Sequence, residues 1–177
     1  MVKHTLERSI SVSSTLISII LLFVFVPKSK IRQALVSFLF HQVITWFFGL
    51  LVVEKGLVTY PYRLYFQKSN KSSFIFEYLI FPTLAVFFNL YFPKKRNLWL
   101  KIAHYLFFTS IITFFETVAV KYTHLIKYRK WTWYWSFITI WLSYYISHVF
   151  YSWYFQNRKV LTTNKQNFTD IPNAYNQ

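Results

Sequence analysis

Residues 72–96 read SSFIFEYLIFPTLAVFFNLYFPKKR, an apolar run closed by Pro93 and the basic triplet Lys94, Lys95 and Arg96. A chain inside lipid must pair every backbone N–H and C=O within the protein, and a single pass achieves this only as a helix. About 20 residues at 1.5 Å each match a hydrocarbon core of roughly 30 Å. The stretch therefore sets the fold class as all-α, a transmembrane helical bundle. Two of its residues strain that reading. Glu77 places a carboxylate near its start, in a chain with only five acidic residues. Pro82 removes the N–H that would bond the Tyr78 carbonyl, so a helix kink is expected there.

Working outward, apolar runs of spanning length recur at about 9–26, 34–53, 74–92, 102–120 and 134–155. Between them lie PKSKIRQ, EKGLVTYPYRLYFQKSNKSS, PKKRNLWLK and KYTHLIKYRKWTW. We expect five spans in a single domain over 1–155, joined by short basic and aromatic loops. A polar tail over 156–177 is expected to be disordered. A β-barrel would need short alternating segments, and none appears. The first run lacks a small-residue cleavage site and ends FVFVPKSK, so it reads as a retained span.

Composition agrees. Of 177 residues, 55% are hydrophobic, 24% aromatic and 14% charged, whereas a soluble domain carries about 25% charged residues. The absence of cysteine excludes disulfides, thiolate metal sites and a cysteine nucleophile. The net charge of +15 sits in clusters between apolar runs, which suits anionic lipid headgroups as partners rather than nucleic acid. Tyr60, Tyr62, Tyr128, Trp131, Trp133 and Trp135 are placed to anchor at the membrane–water interface.

Orientation rests on charge density. Ten Lys and Arg fall on each side of a five-span chain. The compact PKSKIR and PKKR clusters abut span ends, where the positive-inside bias acts, giving the N-terminus outside and the C-terminus inside. Whichever way the chain faces, the ends of spans two and four share one face with the starts of spans three and five. Glu54, Glu77 and Glu116 therefore lie on the N-terminal face, together with Arg63, Lys121 and Lys127. A carboxylate late in a helix, as Glu116 is, must be protonated, reach water or be paired, since the helix dipole opposes it there. We expect Glu77 to join Glu116, Arg63 and the loop lysines in a buried, charge-paired cluster.

Hydroxyl stripes mark packing faces, because small and hydroxylated residues bring helices together in lipid. Ser11, Ser14, Thr15 and Ser18 form one stripe, and Ser136, Thr139, Ser143 and Ser147 another; Thr109 and Thr113 share a face with Glu116. His41 and His148 lie at similar depth, but with no third ligand in sight we expect no metal and no cofactor. The two glycines, Gly49 and Gly56, exclude a phosphate-cradling loop, and no Gly-x-Ser-x-Gly or His-Glu-x-x-His motif occurs.

The segments YPYR, FEYLIFP, the region around Glu116 and IKYRKWTWYW resemble an uncharacterised family of small multi-pass membrane proteins of spore-forming Firmicutes, over roughly 34–155. The resemblance implies a bacterial host and a topology rather than an activity. It points to Arg63, Glu77, Pro82, Glu116, Lys127, Tyr128, Trp131 and Trp133. Three functions compete: a non-enzymatic structural, partner-binding or sensing component of the bacterial cytoplasmic membrane; a homo-oligomeric carrier of a small ion or polar solute; and an enzyme acting on lipid headgroups through Glu77 or Glu116. A membrane partner protein is compatible with the first.

Overall fold

The computed structural model describes residues 4–65 and 71–169, with side chains through 156. Its described residues form five helices: α1 (Thr5–Phe25), α2 (Ile31–Glu54), α3 (Phe81–Leu90), α4 (Leu98–Tyr122) and α5 (Trp133–Thr169). A 3-10 turn, Lys28–Lys30, leads into α2, and a π turn, Phe76–Ile80, leads into α3. The expected all-α class holds.

Local chemistry sets the helix ends. Val26 is extended ahead of Pro27, because a proline ring excludes the helical conformation from the residue before it. At the end of α2, Gly56 adopts φ +64°. There Leu57 N–H donates to the Val52 carbonyl at 3.0 Å and Gly56 N–H to the Val53 carbonyl at 2.9 Å. This is a Schellman ending, which favours glycine at its left-handed position. Asn97 caps α4 by accepting from Leu100 N–H at 3.3 Å, satisfying one of the free donors of the first turn.

Three helical stretches are long and apolar enough to cross a membrane: Thr5–Phe25, Lys28–Glu54 and Leu98–Tyr122. Their outward faces are apolar, with Ile17, Ile20 and Phe23 exposed on α1 and Phe107, Phe114 and Phe115 on α4. The expected spans at 74–92 and 134–155 come out differently. The 5-residue π turn and 10-residue α3 reach about 22 Å, short of a ~30 Å core. α5 has 37 residues, but its Tyr, Trp and Ser make it less apolar than the other three. It also passes the expected boundary at 155: the backbone stays helical through Thr169, so the first part of the expected disordered tail is helix. From Trp133 onward no proline or glycine occurs before Pro172, so no helix breaker interrupts it. Residues 170–177 lie outside the described residues.

α3 is the inner helix. It buries Thr83, Ala85, Val86, Phe88 and Asn89 and packs on α2, α4 and α5. A helix enclosed by protein has its polar groups answered by neighbours, so it need not match the bilayer in length. The core beside it centres on Phe88, whose ring lies 4.8 Å from Tyr105, 5.5 Å from Phe108 and 4.6 Å from Tyr144. Hydroxyl stripes face inward as their spacing predicts: Ser11 and Ser18 on α1, and Ser136, Ser143 and Ser147 on α5, are buried.

The long loops meet at one end of the bundle. Strands β1 (Val58–Thr59) and β2 (Lys127–Tyr128) pair antiparallel, Val58 opposite Tyr128 and Thr59 opposite Lys127. Tyr62 N–H donates to the His124 carbonyl at 3.0 Å, and His124 N–H to Glu7 Oε1 at 3.2 Å. The start of α1 and the α2–α3 and α4–α5 loops thus share one end of the bundle. Nothing in the hydrophobic pattern announced the strands.

Replacing Phe88 by Ala should destabilise the bundle by about 3 kcal/mol, a typical cost for a fully buried ring. Phe114→Ala, on the exposed face of α4, should stay within about 0.5 kcal/mol. Denaturation of the purified protein in mixed micelles would check both, and equal losses would refute this placement of the core.

Candidate functional site

A carboxyl group enters the interior of the bundle where α3 begins. A π turn bonds each N–H five residues back, and Phe81 N–H donates to the Phe76 carbonyl. By the same pattern the Glu77 carbonyl would wait for an N–H from residue 82, which is proline and has none. Thr45 on α2 supplies the donor instead: its hydroxyl lies 2.7 Å from the Glu77 carbonyl. The kink expected at Pro82 thus takes the form of a π turn held by the neighbouring helix.

The Glu77 side chain turns into the bundle and is 2% exposed. Gly49, on α2 one turn beyond Thr45, makes the room: a Cβ there would collide with the Glu77 carboxyl group. Ser72 donates to Glu77 Oε2 at 2.7 Å, while Oε1 is buried and meets no hydrogen-bond partner. Glu116 on α4 is held by hydroxyls as well. Ser136 and Tyr128 donate to its Oε1, each at 2.8 Å. Trp131 Nε1–H, which can only donate, reaches Ser136 Oγ at 2.8 Å and so turns the serine proton toward Glu116. Tyr128 and Tyr60 lie in the loops, and burial pushes both phenols up, Tyr60 further so beside Glu77 and Glu116. Both therefore keep their protons at neutral pH.

Glu77 and Glu116 line one cavity of ≈ 110 Å³, room for several water molecules. From α2 come His41, Thr45 and Gly49; from α5, Ser136, Thr139 and Ser143; the loops close it with Val58, Tyr60, Ile126 and Trp131. His41 is 1% exposed, with Nδ1 unpartnered and its ring stacked 5.2 Å from Tyr144. Beyond lies a second polar layer. Asn89 donates to Ser37 at 2.8 Å. Its Oδ1 sits 3.0 Å from His148 Nδ1, which must therefore carry the proton.

The expected cluster needs correcting. The carboxyls of Glu77 and Glu116 do share a site, but their hydrogen bonds come from hydroxyls, and among the described residues no lysine or arginine forms an ion pair with either. Among the described residues, His4 Nδ1 lies 3.6 Å from Glu7 Oε2, a contact that becomes an ion pair when the imidazole is protonated. Glu54, Lys121 and Lys127 are exposed, since long charged side chains near a helix end gain more from water than from a buried partner. Arg63 donates to the Tyr60 carbonyl at 2.7 Å and lines a separate, smaller pocket with Tyr62 and Ser73. Among the expected anchors, Trp133 and Trp135 face outward, whereas Tyr60 and Trp131 turn into the cavity wall. His41 and His148 sit in different layers, and no group of three metal-ligating His, Cys, Asp or Glu forms among the described residues. Sequence reasoning missed Thr45 and Gly49. A lone glycine inside an apolar run was the available signal.

Comparison with protein-family models, with curated proteins and with solved structures finds no match to this chain.

Gly49→Ala should destabilise the bundle by about 1–3 kcal/mol through overpacking against Glu77. In a Glu77→Ala background the same change should become neutral or mildly stabilising, because Ala is the better helix former by about 1 kcal/mol. A double-mutant cycle read by denaturation tests the contact; additive losses would show that the two residues do not meet.

Proposed function

We propose that the protein is a five-span component of a bacterial cytoplasmic membrane, N-terminus outside, that binds a small polar ligand in the Glu77–Glu116 cavity without turning it over chemically. The observation that carries this reading is that two acidic residues from different helices, Glu77 and Glu116, line one cavity. Five crossings are supported by three apolar spanning helices, by an α3 wrapped in its neighbours, and by an α5 of ample length. The resemblance to small multi-pass proteins of spore-forming Firmicutes points the same way. Basic clusters at the span ends would hold anionic headgroups.

Binding is favoured over carriage by the interior beyond the cavity. His41 stacks on Tyr144 at 5.2 Å, Tyr144 meets Phe88 at 4.6 Å, and Phe88 meets His148 at 5.8 Å. Tyr144 and Phe88 are fully buried, so aromatic rings divide the cavity from the Asn89 layer. A sensing or partner-binding role needs access from one face only.

The chain has no cysteine, so a single introduced thiol is unique. Thr139→Cys, in the cavity wall, should react with a small neutral methanethiosulfonate much faster than Ile17→Cys, on the exposed apolar face of α1. Thiolate forms readily only where water reaches the sulfur. Equal, slow labelling at both positions would remove the cavity as a binding site.

A further inference from the structure

The groups that line the cavity without partners have a common character. Glu77 Oε1 and His41 Nδ1 are buried and unbonded, and both residues line the space. Glu77 is acceptor-only when ionised, and His41 Nδ1 accepts in one of its two neutral tautomers. Ser72 donates to Glu77, and Ser136 and Tyr128 donate to Glu116; the Tyr60 phenol adds a neutral donor to the same wall. What complements this interior is a donor carrying positive charge. The walls add a second requirement, because Phe48, Phe76, Phe81 and Trp131 also line it. Aromatic faces attract cations and suit an organic body. A hard metal ion would want six or more oxygens around it.

We infer that the cavity binds a small primary ammonium ion, its N–H groups directed at Glu77 and Glu116 and its carbon body lying against Phe76, Phe81 and Trp131. The inference rests on the binding role proposed above and names the ligand class. Gly49 is then a determinant of specificity, since it lets the Glu77 carboxyl sit against α2 and leaves the centre of the cavity open. The exposed loop lysines do not oppose this strongly. Water and salt screen them over about 10 Å, while an ammonium ion in the cavity would meet the two carboxyls at low dielectric and favour their ionised form.

The test uses Thr139→Cys in the full chain in lipid nanodiscs, where reagents reach both faces. The probes are methanethiosulfonates bearing an ethylammonium or an ethylsulfonate group, at matched ionic strength. A net charge of +15 would by itself favour the anionic reagent, so a preference for the cationic one reports the cavity. We expect the ammonium reagent to react about tenfold faster or more. Ethylammonium chloride should protect the thiol and potassium chloride should not. Glu77→Gln should cut that protection by about tenfold, the loss of one charge-assisted hydrogen bond. Should that variant not assemble, Glu116→Gln carries the same expectation. Equal rates for the two charged reagents, or a faster anionic one, alongside rapid neutral labelling would overturn the ammonium assignment and leave the binding cavity standing. Slow labelling by every reagent would overturn both.

Discussion

The structure depends on how one carbonyl is satisfied out of reach of water. Pro82 leaves the Glu77 C=O without its intrahelical donor, and in an interior with no water such a group costs several kcal/mol unless a neighbour answers it. Thr45 answers at 2.7 Å, and that bond draws α2 against the start of α3. The approach is possible because Gly49, one turn further on, has no side chain to collide with the Glu77 carboxyl. Three features that look separate in the sequence, a proline, a threonine and a glycine, are therefore one packing arrangement. It turns the Glu77 side chain inward and so creates the site.

Hydroxyls rather than ammonium groups surround the carboxyls, and this has a physical rationale. A buried ion pair must desolvate two charges, a penalty that mutual attraction often fails to recover. Serine and tyrosine hydroxyls lose far less on burial and carry no charge of their own. They also leave the carboxyls able to meet a charge arriving from outside. Had Lys121 or Lys127 turned inward, Glu77 and Glu116 would be neutralised internally and the cavity filled.

What the sequence disclosed follows from which physical signals are local. α1, α2 and α4 were legible because spanning length and apolarity are properties of a contiguous run. So was the sharing of a face by Glu77 and Glu116, which needs only an alternation of spans. The buried serines on α5 were legible from helical spacing. α3 is shorter than its apolar run suggests because protein, rather than lipid, encloses it. The β1–β2 pairing joins two-residue segments about seventy positions apart, with no periodicity to betray them. The charge-paired cluster does not form, because a shared level along the bundle does not by itself bring side chains into contact. Lysine and arginine stems reach water from that depth, so position alone does not bury their charge.

The two polar layers differ in completeness, and that difference bears on what each does. In the layer around Asn89, the amide nitrogen is bonded to Ser37 and the amide oxygen to His148, with Ser37 bonded onward to the Ala85 carbonyl at 3.0 Å. A network satisfied in this way fixes the register of α2, α3 and α5 and has little capacity left for a ligand. The cavity layer keeps unbonded atoms on Glu77 and His41 at a depth where such atoms are costly. Apolar residues of similar volume would avoid that cost. Its presence beside a space of ≈ 110 Å³ is accounted for when the missing partner comes from outside the chain. The packed rings of Tyr144 and Phe88 then keep that partner on the N-terminal side and leave the Asn89 layer to hold the bundle together.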